Sequence, residues 1–290
     1  MKGPFVIPLP HDRGQRETFT LKSIRSNLVL VFDTETTGVD VNEDRIVQLG
    51  AAYYQDGGRL GPPRSMLVNP GMPIPSGASK VHGILDEHVA NEPSWQVVGD
   101  RFAHHLANGP QGDAAPLLCG YNAVSYDTPL INAEFDRHGQ STRIDPKQVL
   151  DPIIFVRWYY RHWPKRSLEH VAARKGVRLT RAHSADADAM ATGEVLMKLL
   201  TEQLIPDDWD QALSQQHQMT QALEEEWLEF KHSLYRDRET GELTLGFGKH
   251  IGTPLAQVDP SYLNFCLNKF DGLTEATQEA FSRAIPGAIH

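Results

Sequence analysis

Cysteine is nearly missing from this 290-residue chain, which holds only Cys119 and Cys266. That excludes a disulfide framework and a cysteine-built zinc site, and it suits a reducing compartment, so a cytoplasmic protein is expected. Long apolar runs are missing too. No stretch approaches the roughly 20 residues that a membrane-spanning helix needs, and the N-terminal MKGPFVIPLPHDRG interrupts its apolar residues with proline and charge where a signal peptide needs them continuous. A soluble, non-exported chain with no membrane partner is the expectation. Positive charge is also scarce: 28 Lys and Arg stand against 37 Asp and Glu, a formal net charge of −9. As a total, that argues against a phosphate-backbone partner, because such binding relies on Lys and Arg.

The distribution of charge changes that reading. Residues 157–182 carry Arg157, Arg161, Lys165, Arg166, Arg174, Lys175, Arg178 and Arg181 against Glu169 alone, whereas residues 201–230 carry no Lys or Arg at all. An acidic protein with one basic segment can hold a polyanion there. Reversing charge at Arg161 and Lys165 is expected to weaken such binding. The 40% hydrophobic and 22% charged content is that of a globular protein, and the length accommodates one large domain and a smaller one.

Residues 1–26 read as an irregular leader. Strands are expected over residues 27–33, 44–54 and 65–70, joined by short Gly-containing connections that make them antiparallel neighbours. A short helix fits PIPSGASKVHGILDEHV, and a longer one fits residues 95–107. PLLCGYN is an apolar strand leading into the helical pattern DTPLINAEFDRHG, and further helices fit residues 152–160, 167–175 and 185–200. Three strands followed by alternating helix and strand predict an α/β fold with a mixed sheet flanked by helices. The chain then becomes acidic and polar. Residues 203–216 read as a linker and 217–290 as a small α+β module.

The chemistry begins at LVLVFDTETTG, where an apolar strand runs into Asp33 and Glu35. Side chains alternate along a strand, so these two carboxylates share one face and Thr34 takes the other. Two like charges side by side need a counter-charge, and hard divalent cations prefer carboxylate oxygens. Two later segments add to the set: Asp127 follows a strand and Asn122 at the head of a helix, and His183 precedes Asp188 by five residues at the start of an Ala-rich helix. Asp186 competes for the role of Asp188, but residues two apart on a helix point about 200° from each other, so only one of them faces the site. Carboxylates holding two divalent ions suit a phosphodiester displacement, and a histidine, which titrates near neutrality, suits the proton transfer.

The ordered set FDTETTG, VHGI, N-x-x-x-x-D and H-x-x-x-x-D resembles the DnaQ-like DEDDh 3′→5′ exonucleases on a ribonuclease-H-like fold, over residues 27–202. Many members have three residues between the motif Asn and Asp; here there are four. The resemblance implies that Asp33, Glu35 and Asp188 hold one Mg²⁺ or Mn²⁺, that Asp33 and Asp127 serve a second, and that His183 is the general base. It further implies that Thr34, Thr36, Val81, His82 and Asn122 contact substrate. The expected activity is release of nucleoside 5′-monophosphates from the 3′ ends of single-stranded DNA, in repair or proofreading. RNA or short oligonucleotides are the alternative substrate, and a proofreading or scaffold subunit holding a polymerase or repair partner is the alternative role. The C-terminal GFGKHIGTPLAQVDPSYLNFCL is similar to the small module that follows the nuclease domain in exodeoxyribonuclease X-like proteins. Lys249, His250 and the aromatics there read either as a nucleic-acid contact or, by their helical spacing, as a core built on Tyr262, Leu263 and Phe265. The second reading is preferred at this point.

Overall fold

The apolar run that begins at Leu28 becomes strand β1, Val29–Thr36, at the centre of a six-stranded sheet. The computed structural model describes residues 22–112 and 114–285; most of the expected leader lies outside them. The chain divides into a larger unit, residues 22–159 with 165–220, and a smaller unit that includes residues 160–164 and 221–285.

In the larger unit β1 pairs antiparallel with β2, Ile46–Gln55, which also pairs antiparallel with β3, Gly58–Arg59, and β4, Arg64–Leu67. Three helices follow: α1 (Ser76–His82), α2 (Asp86–Val89) and α3 (Trp95–Asn108). On the other edge of β1 lies β5, Leu117–Cys119, parallel to it. After α4, Asp127–Arg137, the short β6, Val149–Leu150, pairs parallel with β5. The sheet order is therefore β3-β2-β1-β5-β6, mixed as expected, with β3 and β6 not foreseen because two-residue strands carry no periodicity. Helices α5 (Pro152–Tyr159), α6 (Leu168–Arg174) and α7 (Ala185–Thr201) complete the scaffold. Alternation sorts β1 between two faces. Leu30 and Phe32 pack in a core with Trp95, Val98, Phe102, Leu130, Ile131 and Phe135 from α3 and α4, while Asp33 and Glu35 belong to the opposite set.

The stretch expected as an acidic linker is largely helical. Helix α8, Trp209–Phe230, starts within it, and Trp209, Ala212, Gln216 and Met219 are buried at helical spacing. In the smaller unit the remainder of α8 is followed by the antiparallel pair β7 (Leu234–Arg236) and β8 (Leu243–Leu245), then α9 (Pro260–Lys269) and α10 (Glu275–Ala284). Their core is Phe230, Leu234, Leu245, Leu255, Val258, Leu263, Cys266 and Phe281. Glu226 ties this unit together: it pairs with Arg161, accepts the Arg236 N–H at 3.0 Å and lies 3.5 Å from Arg238.

Candidate active site

The β1–β2 register builds the site. Asp33 stands opposite Gly50 and Glu35 opposite Gln48. Directly opposed residues present their side chains on the same face, so the two carboxylates have beside them a bare backbone and an amide. Helix α7 comes down on that bare spot. A Cβ at Gly50 would lie 2.1 Å from the Ala185 carbonyl carbon, so no residue larger than glycine fits unless the helix shifts. The Gln48 Oε1 then accepts the Ala185 N–H at 3.0 Å, satisfying one of the donors left open at a helix N-terminus. This approach carries Asp188, in the first turn of α7, to the acids of β1.

His183 lies just ahead of α7 with φ 63°, its side chain exposed, and its backbone N–H donates to Asp188 Oδ2 at 3.0 Å. Ligating atoms of Glu35, His183 and Asp188 all lie within 4.8 Å of one another. Asp186, two residues before Asp188, instead accepts from Arg181 and the Ser184 hydroxyl, each at 2.7 Å.

The fourth acid comes from α4. Asp127 Oδ1 accepts the backbone N–H of Thr34 at 2.9 Å and its hydroxyl at 2.6 Å, so Thr34 locks Asp127 against the strand end. Asn122, with φ 63°, begins the turn into that helix. The turn is held by a residue that sequence reasoning missed. Asp151, just after β6 and 1% exposed, accepts the N–H groups of Asn122 at 2.8 Å, Val124 at 3.2 Å and Ile153 at 3.2 Å. Its own N–H donates to Gln216 Oε1 at 2.7 Å. The one sequence signal was an acid between the apolar pair Val149–Leu150 and Pro152.

Burial and mutual repulsion dominate the electrostatics. Burial first, then Asp127, Asp188 and Glu35, hold the Asp33 carboxyl well above the usual range. Burial, Asp188 and Asp127 push Glu35 up to about 8. Burial lifts Asp127 to about 6 against the Thr34 hydrogen bonds, and Asp188 to about 6 against its bond from His183. Asp188 Oδ1 is buried without a hydrogen-bond partner. Clustered carboxylates with an orphaned buried oxygen fit a divalent cation, whose charge removes the repulsion and supplies the missing partner. The residues present suit that group.

At the rim, the Thr36 hydroxyl lies 2.6 Å from both the Gly38 carbonyl and the hydroxyl of Tyr126, which sequence reasoning also missed; Tyr126 donates to the same carbonyl at 2.6 Å. His82 Nδ1 accepts the Ile84 N–H at 3.0 Å, which leaves Nε2 carrying the proton toward the Thr36 carbonyl at 3.2 Å. Burial, above all, lowers the His82 pKa and favours that neutral form. Val81 beside it is exposed. The basic segment 157–182 is less open than expected. Arg161 pairs with Glu226 and lies over the Tyr235 ring, Lys175 pairs with Glu202, and Arg181 pairs with Asp186. Arg161 therefore braces the smaller unit, and reversing its charge is no clean test of strand binding.

Carboxylates from a central strand and two helices thus gather on a mixed sheet. The chain belongs to the exonuclease family: the RNase_T family model, described as Exonuclease, matches residues 30–196. Among curated proteins, a DNA polymerase III subunit epsilon-like protein of Rhodobacter capsulatus is 33% identical over 59% of this chain and 23% of its own length. A PolC-type DNA polymerase III of Streptococcus pneumoniae is 29% identical over 60% of this chain and 11% of its own. The chain thus matches only a minor part of these relatives. Among solved structures, E. coli Exonuclease I in complex with a dA16 oligonucleotide superposes with a TM-score of 0.53 at 23% identity, covering 62% of this chain and 42% of that one. A zinc-bound E. coli Exonuclease I–ssDNA complex gives a TM-score of 0.55 at 18% identity, covering 85% and 60%. These likenesses establish the ribonuclease-H-like α/β fold and a DnaQ-like exonuclease domain.

Proposed function

We propose that this protein is a divalent-metal-dependent 3′→5′ exonuclease acting on single-stranded DNA ends and releasing nucleoside 5′-monophosphates. The convergence of Asp33, Glu35, Asp127 and Asp188, with His183 beside Asp188, carries this reading. Asp33, Glu35 and Asp188 would hold one ion, and Asp33 with Asp127 would serve a second. When bound, Mg²⁺ or Mn²⁺ supplies Lewis-acid activation of the attacking water and stabilises the leaving oxygen. His183 takes the proton from that water, and its exposed position lets it pass the proton on to solvent. Thr34 keeps Asp127 aimed into the cluster. The exposed Val81, with His82, Thr36 and Asn122, borders the 3′-terminal nucleotide.

The polymerase III relatives support a second reading, a proofreading subunit that works with a polymerase. Among the described residues no helix is long and apolar enough to cross a membrane, and both buried cysteines are free, which fits a cytosolic protein. The test is incubation of the chain, with Asp33→Ala as control, on 5′-labelled single-stranded DNA and matched RNA with Mg²⁺ or Mn²⁺. A metal-dependent ladder shortening from the 3′ end of DNA, absent in a folded Asp33→Ala protein, is expected. Shortening of RNA alone overturns the substrate assignment, and full activity in Asp33→Ala overturns the metal ligands. Co-purification of a polymerase, lost when residues 221–290 are deleted, favours the second reading.

A further inference from the structure

Helix α9 separates its aromatics from its core. Leu263 and Cys266 are fully buried among Phe230, Leu245 and Phe281, whereas Phe265, between them in sequence, is 52% exposed, and Phe270 after the helix is 44% exposed. The expectation that Tyr262, Leu263 and Phe265 together form the core therefore holds for Leu263, with Tyr262 half-buried against it, and fails for Phe265. Phe265 and Phe270 are the exposed members of a row of rings that continues into the half-buried Phe247, Tyr262 and His250. Phe247 and Phe270 have centroids 5.3 Å apart, Phe270 and Phe265 6.2 Å, Phe265 and Tyr262 6.3 Å, and Tyr262 and His250 4.6 Å.

Cations flank the row. The Lys249 ammonium lies 5.1 Å from the Tyr262 ring centroid, and exposed Lys269 is one helical turn from Phe265. Gly248, at φ 67°, lets the Lys249 turn pass Tyr262, whose hydroxyl would lie 2.4 Å from a Cβ there. Two acids are close by: Asp259, near Lys249 and His250, accepts the Ser261 N–H at 2.8 Å as the cap of α9, and Asp271 follows Phe270.

We propose that this face of the smaller unit is a stacking platform for single-stranded nucleic acid, distinct from the carboxylate cluster. The exposed Phe265 and Phe270 rings, perpendicular to each other, each offer stacking surface to a base, and Lys249 and Lys269 offer charge to the connecting phosphates. Aromatic rather than aliphatic exposure, with Lys249 and Lys269 close by, suits bases and phosphates better than an apolar protein surface. The inference rests on the reading that the chain handles polynucleotides.

The test is fluorescence anisotropy of 5′-fluorescein-labelled (dT)20 with the full chain in EDTA, so that hydrolysis does not interfere. Replacing Phe265 and Phe270 together by Ala is expected to weaken binding about tenfold or more, with unchanged circular dichroism. Phe265→Trp, which keeps a stacking face, is expected to bind as the parent does, and Lys249→Gln to flatten the salt dependence. Metal-dependent cleavage of a labelled dinucleotide by the double variant is expected to stay at the parent rate. Equal affinity of parent and double variant overturns the platform, as does self-association that the double variant loses without any change in (dT)20 affinity. Absence of hydrolysis by the parent chain in Mg²⁺ would count against the catalytic reading while leaving the anisotropy comparison intact, so the two failures are distinguishable.

Discussion

Gly50→Ala is the most searching perturbation of the catalytic scaffold, because it adds one methyl beside the site and removes no catalytic group. That methyl would lie 2.1 Å from the Ala185 carbonyl carbon and 2.2 Å from its oxygen. Carbon contacts settle near ~3.5–4 Å, so the head of α7 must retreat by about 1 Å or more. Overpacking of this kind costs about 1–3 kcal/mol. The retreat also lengthens the Gln48–Ala185 bond and withdraws Asp188 from Glu35. A 1 Å misplacement of catalytic groups lowers rate by roughly 100-fold. Urea unfolding and steady-state hydrolysis of a labelled oligonucleotide read the two effects separately. The expected protein is folded, slightly less stable, and about 100-fold slower. Parent activity in Gly50→Ala would refute the argument that α7 must rest on bare backbone to deliver Asp188.

Thermal unfolding gives a test of the metal site that does not depend on turnover. Mg²⁺ or Mn²⁺ at a hundred times its dissociation constant adds about 2.7 kcal/mol of stability, or roughly 5–10 °C for a domain of this size. The raised carboxyl values, about 8 for Glu35 and about 6 for Asp127 and Asp188, mean that protons compete with the cation, so the shift grows from pH 6 to pH 8. Asp188→Asn is expected to lose most of that shift, and an equal shift in the variant counts against Asp188 as a ligand. Asp151 is pushed up to about 7, mainly by burial, so the folded protein holds its proton more tightly than the unfolded chain. Its contribution to stability is therefore full below about pH 4 and declines as pH rises through 7, by about 3 kcal/mol between pH 5 and pH 8. Asp151→Asn is expected to flatten that decline in urea titrations, and an unchanged slope would exclude Asp151 as its source. Asp151→Ala, which strands three backbone N–H donors, one buried and two part-buried, is expected to cost roughly 2–4 kcal/mol.

The strand LVLVFDTET could be read directly because alternation in a buried strand is local physics: it places Asp33 and Glu35 on one face whatever follows. The helical periods of α3, α4 and α7 and the ordered spacing of Asp127, His183 and Asp188 were legible for the same reason, and with them the α/β class and the family. What the sequence could not reveal depends on contacts between distant residues. Gly50 looks like any glycine in a strand until the register sets it opposite Asp33 and α7 lands on it. Asp151 looks like a surface acid until the sheet buries it under three backbone donors of the Asn122 and α5 turns. Arg161 looks like part of a phosphate-binding run until Glu226, 65 positions later, neutralises it. On α9, Leu263 and Phe265 lie two positions apart and point about 200° from each other, so helical period puts only one of them inside; the direction of the neighbouring core decided which. Periodicity and motif order are properties of the chain itself, whereas burial, register and charge pairing exist only once remote segments are brought together.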